Sequence, residues 1–440
     1  MTLSLGISSW NTERLAKADH QYLWHPFTQQ QAWCAEEPLI IVSGSGATLT
    51  DSRDRCYIDG NSSIWTNIHG HAHPKIVEAV SQQLAALDHT SFLGTTHPKA
   101  IELAERLAHL IPGAPLPRVF FSDNGSTAVE AALKMAFQFW QLRGHPERRR
   151  FASFSGAYHG DTAGAASLGA IGDFFDRFSG IHFQAEHFQN LEALKAFSDP
   201  NELAAIIIEP LIQGAAGMRL WPKGMLRELR AYCHHQGILL ILDEVMTGFG
   251  RTGTMFACQQ EEVVPDFLCV AKGITGGTLP LAATLVTEEI YDAFLGTTEE
   301  QKTFYYGHSY TANPPACAAA LASLDLFREE RTLEHLQPKI AHLSESLQSL
   351  RDLPWVGEIR QCGFIVGIDI MHDPKGAIPF PWEQLTGARI CSAARKHNLL
   401  TRPVRDTLVL MPPFCITLQQ LDQAVEALRK AILEVCGMEI

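Results

Sequence analysis

Basic side chains are in deficit in this sequence. Its 35 lysines and arginines face 48 aspartates and glutamates, a formal net charge of −13. Such a surface repels nucleic-acid backbones and anionic membranes, so neither is an expected partner. Long apolar runs are missing too: none approaches the ~20 residues that cross a bilayer. The opening segment 1–28 has no basic stretch followed by an apolar one, so no secretory leader is expected and a cytoplasmic location is. The ten cysteines are scattered with no C-x-x-C pair, which excludes a zinc ribbon and a disulfide-framed secreted fold. Without a secretory route, the glycosylation patterns at Asn61 and Asn124 carry no weight. Internal repeats and low-complexity linkers are also missing.

What is present is globular: 46% hydrophobic and 19% charged residues over 440 positions, more than one typical core holds. Two domains are therefore expected. Residues 1–20 read as a loose arm or one short helix, and 24–29 as an extended segment. A hairpin is predicted from runs 39–43 and 47–51 around Gly44-Ser45-Gly46. Three- and four-residue apolar steps predict helices over 75–87, 100–111, 127–140 and 316–328. Between about 118 and 285 these alternate with strand-like runs at 118–122, 151–154, 205–209, 239–243, 268–271 and 282–286. That alternation is α/β, a mainly parallel sheet between helices. Further runs at 365–370 and 408–411 fall in a second, smaller α+β unit, which the opening 1–70 joins. The expected division is 1–70 and 329–440 for the small unit and 71–328 for the large one. His69, His71 and His73 sit two apart, but Gly70 and Pro74 make a loop there and no other ligand completes a set, so no metal is expected.

Three strand-like runs end in charge. One ends in Glu209, one in Asp243 and one in Lys272 ahead of Gly273. Each alone reads equally well as a surface residue at a strand end. Open parallel sheets, however, bind ligands outside the carboxyl ends of their strands, so three such ends point to one site. Gly125, Ser126 and Thr127 open a helix directly after a strand, which suits an anion or is ordinary capping. Tyr158 could lie flat on a planar ligand, and His159 is either a base or a loop residue. Arg402 beside Pro403 could fork onto a carboxylate or face solvent. Gly248, Gly250 and Gly253 match G-x-G-x-x-G, the basis of a rival reading as a nicotinamide oxidoreductase. No acidic ribose partner follows at the right spacing, so the segment reads as a bent active-site loop. A lysine, a neighbouring carboxylate, a phosphate-ready helix start, a stacking aromatic and a carboxylate-binding arginine together are what a pyridoxal phosphate site needs.

The run Ile241-Leu242-Asp243-Glu244-Val245-Met246-Thr247-Gly248-Phe249-Gly250-Arg251-Thr252-Gly253, followed by Lys272, resembles the class III (ω-amino acid) aminotransferases of fold type I. Segments Trp24-His25-Pro26-Phe27-Thr28, Ser62-Ser63-Ile64-Trp65, Tyr158-His159-Gly160-Asp161-Thr162 and Gln213-Gly214-Ala215 are similar to the biotin-pathway branch of that family. The resemblance implies a seven-stranded-type large domain, a pyridoxal phosphate cofactor and a homodimer with shared active sites. It implies that Lys272 bonds the cofactor, that Asp243 faces its ring nitrogen, and that Gly125 and Ser126 hold its phosphate with His308 and Ser309 from the partner subunit. Tyr158 and Val245 would flank the ring. Phe27, Ile64, Trp65, Tyr158, Gly307, Glu209 and Arg402 would serve the substrate, with Arg402 on the carboxylate of 8-amino-7-oxononanoate. Glu209 would either pair with Arg402 when that carboxylate is absent or be a structural strand end. The product would be 7,8-diaminononanoate, made with ping-pong kinetics by way of pyridoxamine phosphate. The amino donor would be S-adenosylmethionine by default, or lysine, because this chain has Phe27, Ile64 and His308 where the family has tyrosine, tryptophan and proline. Rival readings are a class III transaminase for another ω-amine or diamine, and a non-catalytic pyridoxal-binding protein.

Overall fold

The runs read as strands in 118–286 are apolar almost without interruption, and the sheet they build is covered on both sides. The computed structural model describes residues 10–111 and 116–437. Strands β1 (Ile41–Ser45), β2 (Thr48–Asp51) and β3 (Cys56–Asp59) form an antiparallel meander near the start. The turn sits at Gly46, within the predicted Gly44-Ser45-Gly46 segment. The central sheet uses β4 (Arg118–Ser122), β5 (Arg150–Phe154), β6 (Glu186–Phe188) and β7 (Leu203–Ile208). After a two-stranded ribbon, β8 (Ile212–Gln213) and β9 (Arg219–Leu220), it continues with β10 (Leu239–Asp243), β11 (Phe267–Val270) and β12 (Ala282–Val286). Its seven strands run in the order β4-β12-β11-β10-β7-β5-β6, and only β12 is antiparallel to the rest.

Period-two alternation divides these side chains between two cores. Ile207, Ile241 and Cys269 pack against Ala128, Ala132 and Ala136 of the helix Gly125–Leu142. Ile206, Leu242 and Val270 face the other way, toward Leu226, Phe249 and Phe256. With both faces buried, polar residues have no place along β7, β10 and β11 until their C-terminal ends. These three strands are immediate neighbours, so Glu209, Asp243 and Lys272 emerge side by side.

Beyond the long helix Pro314–Glu329, strands β13 (Val356–Cys362), β14 (Ile365–Asp373) and β15 (Ile378–Pro379) are followed by β16 (Leu399–Leu400), β17 (Pro403–Val404) and β18 (Thr407–Leu410). β16 pairs in parallel with β3, tying the early segment to the late one, while β13, β14, β18 and β17 form their own sheet. Residues 24–29 are not extended as predicted: the chain turns at Pro26, Phe27 adopts φ +50°, and a short helix Gln30–Ala35 follows. The edge strand β6 was not legible in the sequence, being three residues with two of them polar or charged.

Candidate active site

A cavity of about 740 Å³ opens at the C-terminal ends of β7, β10 and β11, lined by Glu209, Asp243 and Lys272 together with Gly125, Ser126, Tyr158, His159, Val245 and Trp65. Lys272 is half-buried and sits at φ +45°, a left-handed backbone that a non-glycine residue adopts at a cost. It forms no hydrogen bond or ion pair among the described residues; its Nζ lies 5.4 Å from the centroid of the Trp65 ring. Desolvation holds its ammonium below the ordinary lysine range, against the opposing pull of Asp243 and Glu209. The result is an amine with access to its neutral, nucleophilic form.

Asp243 is held from two sides. Its Oδ1 accepts the Val245 N–H at 3.1 Å and its Oδ2 takes His159 Nδ1 at 2.8 Å. A carboxylate on Nδ1 means that Nδ1 carries the hydrogen. His159 is buried, and its Nε2 has no partner among the described residues. The sequence left His159 undecided; the geometry makes it the group that orients Asp243.

Glu209 does not pair with Arg402. Its two oxygens accept backbone N–H groups of Tyr158 at 3.2 Å and Gly214 at 2.8 Å. Burial pushes its carboxyl up to about 7; the nearby Asp243 charge adds to this, while His159 and the two N–H bonds oppose it. Tyr158 donates its hydroxyl to Asp161 at 2.8 Å, and Asp161 donates its own N–H to Ser126 Oγ at 3.0 Å. Asp161 is a lining residue that strand and helix patterns gave no means of finding.

At the other wall, Asn124 caps the helix that starts at Gly125, receiving the Thr127 N–H at 3.1 Å. That leaves the first amides of an eighteen-residue helix directed into the cavity. A Cβ at Gly125 would stand 2.7 Å from Val245 Cγ1, so only glycine fits. His308 approaches Asp123 at this rim to 3.9 Å; Gly307 and Ser309 do not line the cavity.

Ile64 and Arg402 line a second cavity of about 600 Å³ with Asn61, Ser63 and Trp382. Arg402 has no ion pair there among the described residues. Phe27 lines neither space; it is exposed and edges onto Phe174, which in turn edges onto Tyr158. The wall between the cavities is the turn Ser62–Trp65, whose four residues have φ of +46°, +48°, +73° and +69°. Each left-handed non-glycine residue costs roughly 1–2 kcal/mol, and β-branched Ile64 is among the least tolerant types.

The expectation of a bent active-site loop at 248–253 needs correction. After Thr247 the glycine run 248–253 leaves the cavity instead of bending over it. Arg251 is completely buried and donates to the carbonyls of Pro412 at 2.7 Å and Asn67 at 2.6 Å, pinning this loop to the C-terminal segment. With only a short 3-10 turn, Ala257–Glu261, behind the glycines and no α-helix, the dinucleotide reading has no basis. The histidines of 69–73 diverge: His69 bonds Ser323, His71 bonds Asp59 and His73 faces Glu330.

The residues present fit pyridoxal phosphate. A half-buried amine without a hydrogen-bond or ion-pair partner among the described residues faces a fixed carboxylate, and a glycine-lined helix start supplies free amides on the opposite wall. A seven-stranded sheet of this order with that lysine past β11 defines a fold type I pyridoxal-phosphate-dependent enzyme. Comparison with known sequences makes the assignment narrower: residues 30–432 match the family described as Aminotransferase class-III, and the chain belongs to it. It is 45% identical to the adenosylmethionine-8-amino-7-oxononanoate aminotransferase of Geobacter sulfurreducens, over 97% of this chain and 99% of that one. The protein of the same name from Nitratidesulfovibrio vulgaris is 47% identical over 96% and 82% of the two chains. Among solved structures, that of the Methanocaldococcus jannaschii protein of this name superposes with a TM-score of 0.93 at 39% identity, covering 96% of this chain and 99% of that one. An (S)-enantioselective omega-transaminase from Thermomicrobium roseum gives 0.93 at 32% identity, over 98% and 100%. The protein is therefore a pyridoxal-phosphate-dependent aminotransferase, and none of its described helices is long and apolar enough to cross a membrane.

Proposed function

We propose that the protein transfers an amino group to 8-amino-7-oxononanoate, giving 7,8-diaminononanoate, with S-adenosylmethionine as donor. The observation that carries this is the pairing of cavities: the Lys272 amine lies on one side of the Ser62–Trp65 turn and Arg402, an arginine with no ion pair among the described residues, on the other. Such a site suits a substrate whose carboxylate is many atoms from its reacting carbon. The names of the relatives at 45% and 47% identity agree with that substrate class.

When bound, pyridoxal phosphate supplies an aldehyde that bonds amines and a ring that accepts electrons from the carbon beside them. The chain's own residues do the rest. Lys272 would hold the cofactor through Nζ and, as a free amine whose neutral form desolvation favours, would move a proton from the carbon on one side of the transferred nitrogen to the carbon on the other. Asp243, oriented by His159 Nδ1, would bond the protonated ring nitrogen. The amides and hydroxyl at Gly125 and Ser126 bind the phosphate, and Val245 and Tyr158 restrict the ring's faces. Trp65 shields Lys272 from water. Arg402 binds the substrate carboxylate, with Ile64 along its path.

The same reading includes a cytoplasmic homodimer in which Gly307, His308 and Ser309 serve the partner's site. Exposed Trp24, Leu93, Tyr305 and Tyr310 support a partner surface. The domain division at residues 70 and 328 is proposed because β3 and β16, far apart in sequence, share one sheet. The test mixes purified holoenzyme with S-adenosylmethionine or with lysine, follows the absorbance of the bound cofactor, and then adds 8-amino-7-oxononanoate. Conversion by S-adenosylmethionine and reversal by the ketone support the reading. Conversion by lysine alone reassigns the donor, and no reversal by the ketone rejects the substrate.

A further inference from the structure

Four consecutive left-handed residues without a glycine among them do not persist unless something holds them. In this protein a buried carboxylate does much of the holding, beside the Met411 carbonyl that accepts the Ser62 hydroxyl at 2.7 Å. Asp59 Oδ1 accepts the N–H groups of Asn61 and Ser63, each at 3.1 Å, and its Oδ2 accepts the Ser63 hydroxyl at 3.1 Å. The same Oδ2 meets His71 Nε2 at 2.8 Å. The proton positions follow from the far side of the ring. Asn67 uses its Oδ1 on the Gly70 N–H at 2.8 Å, so its amide nitrogen is the atom that faces His71 Nδ1 at 3.4 Å. Nδ1 therefore accepts, and Nε2 carries the hydrogen toward Asp59. The imidazole backbone is itself fixed, because His71 exchanges both backbone hydrogen bonds with Gly46.

The turn so held sets two side chains. Trp65 donates its indole N–H to Asn61 Oδ1 at 2.8 Å and lies over Lys272. Ile64 faces the Arg402 cavity. The geometry points to Asp59 and His71 as a positioning pair that fixes the wall between the two cavities and thereby the separation at which the enzyme accepts a reacting carbon and a carboxylate. Neither residue touches the reacting atoms; both act through Ile64 and Trp65. This rests on the proposed placement of substrate across the two cavities.

The test compares His71→Leu, which fills the space without a donor, with His71→Gln, which keeps one, using holoenzyme and 8-amino-7-oxononanoate. His71→Leu raises KM about tenfold with kcat within about twofold, the scale of a small misplacement, and His71→Gln recovers most of the loss. Ile64→Ala changes KM in the native background but adds little in His71→Leu, because its position is already lost. If His71→Leu does not fold, Ser63→Ala, which removes one hydroxyl from Asp59, carries the same test with about a threefold rise. Unchanged KM in the folded variants, equal loss in His71→Leu and His71→Gln, or full additivity with Ile64→Ala each overturns the inference. Arg402→Ala serves as the reference. If it leaves KM unchanged, the spanning substrate is wrong; if it raises KM while the His71 and Ser63 variants do not, only the positioning pair is wrong.

Discussion

Replacing Glu209 with glutamine makes stability respond to pH in a way that tests the electrostatics of the cavity floor. The carboxyl titrates near the ordinary glutamate value of 4.5 in the unfolded chain and at about 7 in the folded one. Between these values the folded protein holds a proton that the unfolded chain has lost, so stability falls as pH rises through that window and levels off above it. At 1.36 kcal/mol per pKa unit the fall is about 3 kcal/mol. Glutamine removes this term. It also has one acceptor oxygen where Glu209 uses two, on the N–H groups of Tyr158 and Gly214. Leaving one of these unpaired costs about 1–3 kcal/mol at every pH. The wild type is therefore the more stable protein near pH 4.5, and the advantage shrinks to nothing or reverses by pH 8. Urea denaturation of the cofactor-free protein and Glu209→Gln across this range measures the difference directly. Parallel stability curves would refute the argument, because they would mean that Glu209 titrates alike in both states.

Other substitutions separate the roles assigned to the cavity. Arg402→Ala raises KM for 8-amino-7-oxononanoate about 10–100-fold and leaves a simple amine without a carboxylate unaffected, in steady-state assays with both. Asp243→Asn, which also strips the His159 Nδ1 hydrogen bond of its charge, lowers kcat about 10²–10³-fold with little change in substrate KM. Gly125→Ala forces a methyl group to 2.7 Å from Val245 and weakens pyridoxal phosphate binding about 10–100-fold, read by titrating the cofactor-free variant.

The central sheet was legible because its strands are buried on both faces. Apolar runs such as 239–242 have no alternation to misread, and the charge at each end marks where burial stops. Asp243 and Lys272 were found by that signal alone, and the helix start at Gly125 by small residues after a strand. His159 and Asp161 were not assigned, since what defines them is a contact across the fold: with Asp243 for one, with Tyr158 and Ser126 for the other. Arg402 was read as part of the same site, but it opens into a neighbouring cavity, because the turn at 62–65 stands between. Nothing in Ser62-Ser63-Ile64-Trp65 announces a left-handed turn. Its conformation is imposed by Asp59, His71 and the Met411 carbonyl, which accepts the Ser62 hydroxyl at 2.7 Å. The glycines of 248–253 misled for the converse reason: local spacing matched a motif while long-range packing by Arg251 decided their place.

Borohydride reduction of the holoenzyme, followed by proteolysis and mass spectrometry of the lysine-containing peptides, addresses the core of this account. The cofactor's mass should appear, stoichiometrically, on the peptide carrying Lys272. Its attachment to another lysine, or to none, would contradict the account.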